Sequence, residues 1–221
     1  MGGLPAPGAM GGLPALVARA ILASMSAPEP HRRTVKHYHD PGDVHELTFS
    51  CYRRMPLLTN DAWRRFLSEA VDRSLAGRDF RLVAFVFMPE HVHLLVYPHV
   101  PLPDPSVIEA LLAAIKRPYS FRIKQILLKN GSPLLAKLTV PDKRRGKTFR
   151  YWQKGPGYDR NFSSEKAILS SIDYVHNNPV RRGLCQAATD WRWSSARWYA
   201  SDRQLVDEGL PRIDGLPAEF F

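Results

Sequence analysis

The chain is poor in cysteine: its 221 residues hold 2, Cys51 and Cys185, far apart and in no CxxC or Cys/His pairing. That excludes a disulfide framework and a cysteine-based zinc module, and it fits a reducing cytoplasm. Long apolar runs are missing too. None approaches the roughly 20 residues that a helix needs to cross a bilayer. No basic amphipathic helix with a broad apolar face stands out, so a membrane surface is not the expected partner. Internal repeats are absent. Acidic residues are outnumbered, 21 against 31 Lys plus Arg, which leaves a formal charge of +10. An excess of that size is a statement about partners, and the usual polyanionic partner is nucleic acid.

What is present begins with a stretch rich in Gly, Ala and Pro, Met1 to Pro30. Its short apolar patch, Leu16 to Leu22, lacks a basic leader and is interrupted by Arg19, so a signal peptide is not expected. Met10 and Met25 are alternative starts. Residues 1–34 therefore read as a flexible or mis-assigned extension, 35–200 as one domain with a proper core, and 201–221 as a C-terminal tail.

Along the domain, Val44 to Tyr52 alternates as a first strand. Asn60 caps a helix whose apolar residues recur at three and four from Trp63 to Leu75, and Gly77 ends it. Arg81 to Phe87 and His91 to Tyr97 form an antiparallel pair joined at Met88-Pro89-Glu90. A long helix from Ser106 to about Lys129 follows, which Pro118 should kink or split. Arg160 to Phe162 supplies a last strand. Ser163 caps the next helix, and Pro179 stops it, so Asn178 lies in its last turn or just past it. A short helix starts near Ser194, after tryptophans that read as packing anchors. This order predicts an α+β, ferredoxin-like antiparallel sheet with helices on one face and a C-terminal helical extension.

Three features carry chemistry. The first is His91-Val92-His93, opening a strand otherwise as apolar as a core. Residues two apart on a strand share a face, so the imidazoles lie side by side. They are either half of a metal site or one packed and one hydrogen-bonded histidine. The second is the cluster Lys143, Arg144, Arg145, Lys147 and Arg150, with Tyr151 and Trp152 beside it. A solvated loop explains the charges, but cations interleaved with aromatics also suit phosphates and exposed bases.

The third is Tyr174. A metal held by two histidines needs a further donor, and phosphodiester chemistry needs a nucleophile, a role tyrosine can fill. On a helix the two would sit three or four residues apart. Of the 8 tyrosines, only Tyr174 lies on a helix with a side-chain oxygen donor four residues on, Asn178. The plainer reading makes Tyr174 an edge residue of the apolar stripe and Asn178 a C-terminal cap.

Met88-Pro-Glu-His-Val-His-Leu-Leu95, together with Ile172-Asp-Tyr-Val-His-Asn-Asn-Pro-Val-Arg-Arg-Gly183, closely resembles the single-tyrosine transposases of the His-hydrophobic-His class. The nearest in pattern are the REP-associated tyrosine transposases, related to the insertion-sequence-200-type enzymes. Tyr151-Trp-Gln-Lys-Gly155 and Asp190 to Tyr199 also match, so the resemblance spans about Tyr38 to Tyr199. It implies DNA transposition by cleavage and rejoining of single-stranded or hairpin DNA, through a 5′-phosphotyrosine. Tyr174 would be the nucleophile, with Mg²⁺ or Mn²⁺ held by His91, His93 and Asn178. Glu90 belongs to the motif, but strand parity points it away from the histidines. The DNA backbone would meet Lys143, Arg144, Arg145, Lys147, Arg150, Arg181 and Arg182. Monomer and homodimer both remain open at this point. So do a non-catalytic nucleic-acid-binding protein on the same fold and a metal-dependent hydrolytic nuclease.

Overall fold

A computed structural model describes residues 43–100, 102, 106–155 and 157–216. The expected N-terminal extension lies outside the described residues.

Strand β1, Val44–Ser50, is followed by helix α1, Asp61–Ala76. The Asn60 side chain accepts from the Trp63 amide, and Gly77 closes the far end, both as the sequence predicts. Strands β2, Phe80–Phe87, and β3, His91–Pro98, pair antiparallel through the expected turn, where the Met88 amide donates to the His91 carbonyl at 2.9 Å. Helix α2, Ser106–Lys129, runs on through Pro118 as one element. The missing N–H costs about 3 kcal/mol in a helix interior. Ile108, Leu111, Leu112 and Ile115 are buried on one side of Pro118, and Tyr119, Ile123 and Leu127 on the other. Each is worth roughly 1.5–3 kcal/mol of apolar burial, which outweighs the loss.

A short helix α3, Leu134–Leu138, leads into a two-stranded ribbon, β4 (Thr139–Asp142) and β5 (Gly146–Phe149). The basic cluster is thus a hairpin, with Lys143, Arg144 and Arg145 at its tip. The ribbon and its neighbour then give way to β6, Tyr158–Phe162. Gly157 precedes it at φ +109°, and a Cβ there would stand 2.5 Å from the Thr48 carbonyl oxygen. Only glycine lets β6 approach β1 so closely.

The main sheet has the order β2-β3-β1-β6, antiparallel throughout, which is the ferredoxin-like arrangement. Alternation sorts its side chains onto two faces. Leu47, Phe49, Val92, Leu94 and Val96 join α1 and α2 in one core. Val44, Val83, Val86 and Leu95 form a second apolar cluster with helix α4, Glu165–His176. The expectation of helices on one face therefore holds for α1 and α2 but not for α4. This extra helix follows the last strand, and its stripe of Ile168, Ile172 and Val175 covers the face that α1 and α2 leave bare. Its N-cap is Ser164, one residue later than expected, accepting from the Ala167 amide.

The chain beyond α4 fastens the outer edge of β2. The Phe87 amide donates to the Trp193 carbonyl, the Ser195 amide to the Phe85 carbonyl, and the Leu82 amide to the Asp214 carboxylate. Trp193 and Trp198 are buried, as anchors should be, and helix α6, Ala196–Ala200, begins just after Ser195. An edge strand covered in this way cannot recruit another chain. No helix among the described residues is long and apolar enough to cross a membrane.

Candidate functional site

The site forms where the face under α4 stops being apolar. His91 and His93 lie on that face because Val92 and Leu94 take the other. Their Nε2 atoms approach to 3.1 Å. The opposite ring nitrogens are both engaged. Nδ1 of His91 pairs with the Glu90 carboxylate at 3.1 Å, and Nδ1 of His93 with that of Glu46 at 3.1 Å and the Thr48 hydroxyl at 2.9 Å. An ionised carboxylate only accepts, so each Nδ1 carries a proton, and in a neutral ring Nε2 then presents a lone pair. Burial pushes the His91 pKa down, against the pull of Glu90, and keeps that ring neutral.

Asn178 completes the group. Pro179 cannot continue α4, so the helix ends at His176 and Asn178 starts a separate short helix, α5 (Asn178–Arg181). The break turns the buried Asn178 side chain back to the sheet, its Nδ2 3.2 Å from Nε2 of His93. A half-turn of the amide would present Oδ1 at the same place.

Do these residues fit a metal ion? Two lone pairs face each other at 3.1 Å, an arrangement that repels until a cation or proton lies between them. Carboxylates behind both rings are the usual outer support of histidine ligands. Among the described residues no three His, Cys, Asp or Glu side chains converge, so any third protein donor must be a neutral one. Asn178 is the neutral side chain placed for it, its Nδ2 3.2 Å from Nε2 of His93. The set fits a divalent cation with water completing its coordination.

Tyr174, one turn before Asn178, is 48% exposed, and its ring centroid stands 6.1 Å from that of His93. The Arg181 guanidinium lies 3.9 Å from the Tyr174 ring centroid and donates to the Tyr174 carbonyl at 2.8 Å. Arg182 pairs with Glu90 at 2.8 Å. Burial works to raise the Glu90 pKa, but His91 and Arg182 outweigh it and hold the carboxyl below its usual range. Arg181 and Arg182, expected on DNA, thus each have a partner inside the site. Lys143, Arg144, Arg145 and Lys147 sit on the exposed ribbon, apart from this group in sequence and fold, and Arg150 pairs with Asp142 at 3.6 Å.

Tyr151 and Trp152 cannot stack bases. They are 1% and 6% exposed, and the Tyr151 hydroxyl donates to the Leu57 carbonyl. His176, two residues from Tyr174 and on another face of the helix, is turned away into a 2.7 Å contact with the Ser195 hydroxyl.

Sequence reasoning missed Glu46, Thr48 and Ser171, which steady His93 from behind, and strand parity misplaced Glu90, whose carboxylate, just before the strand begins, meets Nδ1 of His91 at 3.1 Å. The Ser171 hydroxyl donates to the second oxygen of Glu46 at 3.1 Å. A signal existed: Glu46 and Thr48 share strand parity with buried Val44, and Ser171 sits within the buried stripe of α4. What they touch required the register that sets Thr48 opposite His93.

No protein-family model matches the chain, and no curated protein matches it. Among solved structures it is similar to a REP-associated tyrosine transposase bound to a REP hairpin. The two agree with a TM-score of 0.55 at 20% identity, over 84% of this chain and 98% of that one. It also matches a candidate transposase from Deinococcus radiodurans R1 at 17% identity and a TM-score of 0.40, over 66% of this chain and 97% of that one. The second likeness is too loose to carry an argument. The first is a likeness of fold, and it agrees with the family resemblance carried by the two motifs.

Proposed function

We propose that this chain is a transposase-type strand transferase that cleaves and rejoins single-stranded DNA through a 5′-phosphotyrosine. The observation that supports it most is the pair of facing Nε2 lone pairs, with Asn178 beside them, under a half-exposed tyrosine. A surface that only binds nucleic acid has no use for that arrangement.

His91, His93 and Asn178 would hold Mg²⁺ or Mn²⁺, and two nitrogen donors favour Mn²⁺. When bound, the ion supplies Lewis-acid polarisation of a scissile phosphate. The Tyr174 oxygen gives up its proton to solvent and bonds to phosphorus as the bond from phosphorus to the 3′ oxygen breaks. The leaving 3′ oxygen takes up a proton. One phosphodiester replaces another, so the 3′-hydroxyl of a second strand can reverse the step and release Tyr174. Arg181, packed on the Tyr174 ring, limits its orientations. Arg182 steadies Glu90, which in turn orients His91.

Lys143, Arg144, Arg145, Lys147 and Arg150 would bind DNA backbone from the ribbon, giving affinity that falls steeply with salt. The neighbour of the same fold is bound to a hairpin, and a hairpin with a single-stranded flank is the substrate proposed here. Residues 35–200 would carry the activity as one domain in the cytoplasm.

The test is incubation of wild type and Tyr174→Phe with such a hairpin and Mg²⁺ or Mn²⁺, followed by denaturing electrophoresis. A covalent adduct in wild type alone is expected. Cleavage that survives in Tyr174→Phe would mean that water attacks, and binding without cleavage would mean a passive binding protein.

A further inference from the structure

A groove of about 750 Å³ opens beside Tyr174 and His93, walled by β6 and α4. Of its lining, Glu46, Thr48, His93, Ser171 and Tyr174 belong to the site already described; the other residues do not. On α4, Lys166, Ser170 and Tyr174 are spaced four apart, so they form one line along the helix that ends at Tyr174. On β6, Tyr158 and Arg160 share a face, opposite Thr48 and Glu46 of β1. All five side chains line the groove.

The chemistry of these walls is uneven in an informative way. Tyr158 is 44% exposed, a large aromatic face offered to solvent. Arg160 and Lys166 are exposed too, and neither enters an ion pair among the described residues. The Arg160 guanidinium lies 4.9 Å from the ring centroid of Phe162, which packs beneath it and holds it to the groove wall. One carboxylate lines the groove, that of Glu46, and its two oxygens already serve His93 and Ser171. The groove therefore offers two cations, one aromatic platform and hydroxyls, leading to the tyrosine.

We propose that this groove is the channel for the single-stranded segment next to the scissile phosphate. Arg160 and Lys166 hold backbone phosphates, and Tyr158 stacks an unpaired base. A duplex does not suit it, because paired bases hide the faces that an aromatic platform needs, whereas a single strand offers them. The proposal rests on the reading of Tyr174 as nucleophile, since that residue ends the channel.

The experiment uses the full chain carrying Tyr174→Phe, so that binding is read without cleavage. Two DNA probes are compared by fluorescence anisotropy across a salt series: a hairpin with a single-stranded flank and the same hairpin with blunt ends. Adding Arg160→Ala and Lys166→Ala should weaken the flanked probe about 10-fold or more, as loss of charged hydrogen bonds does. The slope of log affinity against log salt should flatten by about 1.4, for two single-strand phosphates. Tyr158→Ala should weaken it about 10-fold, the scale of one lost base stack. Blunt hairpin binding should not change. Unchanged flanked binding, or an equal loss on both probes, overturns the channel.

The parent reading fails separately. Wild type that forms no adduct overturns Tyr174 as nucleophile, even if the flanked probe still depends on Arg160 and Lys166. Adduct at the wild-type rate in Arg160→Ala, Lys166→Ala with intact Tyr174 overturns the channel and leaves the nucleophile standing. Thermal unfolding of each variant should match its parent, because the substituted side chains are exposed.

Discussion

The two faces of the main sheet are made by the same strands yet bury different things. Under α1 and α2 the strands present mostly aliphatic and aromatic side chains, Leu47, Phe49, Leu94 and Val96 among them. Under α4 the sheet is apolar at Val44 and Leu95, which meet Ile168 and Ile172 of the helix, then turns polar at Glu46 and His93, which meet Ser171 and Asn178, all buried. Burying polar groups is tolerable only when each is hydrogen-bonded, and here one chain of bonds runs from Ser171 through Glu46 and His93 to Asn178. Well-packed apolar residues would stabilise the same space as well or better. The first face is explained by folding alone, whereas the polar half of the second is not.

The contrast is sharpest at Tyr174. Tyr174→Phe should lower covalent adduct formation by about 10³-fold or more, because residues that act as a unit fail together. Stability should change by no more than about 0.5 kcal/mol at so exposed a position. Denaturing gels and a thermal melt check both, and a large fall in melting temperature would make Tyr174 a structural residue. Leu94→Ala, on the opposite face, should do the reverse. Leu94 is fully buried, so truncation should cost about 3 kcal/mol in denaturant titrations while the folded fraction still binds Mn²⁺.

Glu46→Gln probes the polar half without changing its shape. Divalent-ion affinity measured by calorimetry should drop about 10- to 100-fold, as when the outer support of a histidine ligand is removed. Stability should fall by only about 1 kcal/mol. Unchanged affinity together with lost stability would leave Glu46 a packing residue and erase the difference between the faces.

The smallest effect is expected at Lys116 on α2, whose ammonium donates to the Gly155 carbonyl at 2.7 Å and lies 5.7 Å from the Phe49 ring centroid. Burial pulls its pKa down to about 8, from an ordinary 10.5. The unfolded chain then holds the extra proton across that window, so stability is lost as pH falls from 10.5 to 8 and the full penalty stands at neutral pH. Lys116→Met should raise stability at pH 7 by about 1 kcal/mol, after allowing for solvent screening, and flatten the profile. A melt series across pH 7 to 10.5 reads both.

Much of the fold was legible because its signals are local. Asn60 and Gly77 bound α1 through their own backbone chemistry, and the break at Met88-Pro89-Glu90 sets the β2–β3 hairpin wherever the sheet packs. Tyr174 and Asn178 stood out by helical spacing, and Asn178 falls just past the end of α4, one of the two places Pro179 allowed, at the start of a new short helix. The split that Pro118 allowed does not occur, for the opposite reason. The lost hydrogen bond is visible in the chain, whereas the two buried stripes that carry the helix through it are not. Tyr151 and Trp152 mislead similarly: aromatics beside a basic run look like base platforms until the core that encloses them is known.

The sequence by itself determined the strand and helix periods, the parity that sets His91 beside His93, the helical spacing of Tyr174 and Asn178, and the positive charge. Each follows from neighbours within a turn or two of chain. Only the tertiary structure decided that α4 crosses the second face, that Glu46 and Ser171 stand behind His93, and that β6 and α4 enclose a groove ending at Tyr174. Those relations join residues as far apart as Glu46 and Ser171. Contacts of that range are set by strand register and by which face each helix must cover, and no local pattern encodes them.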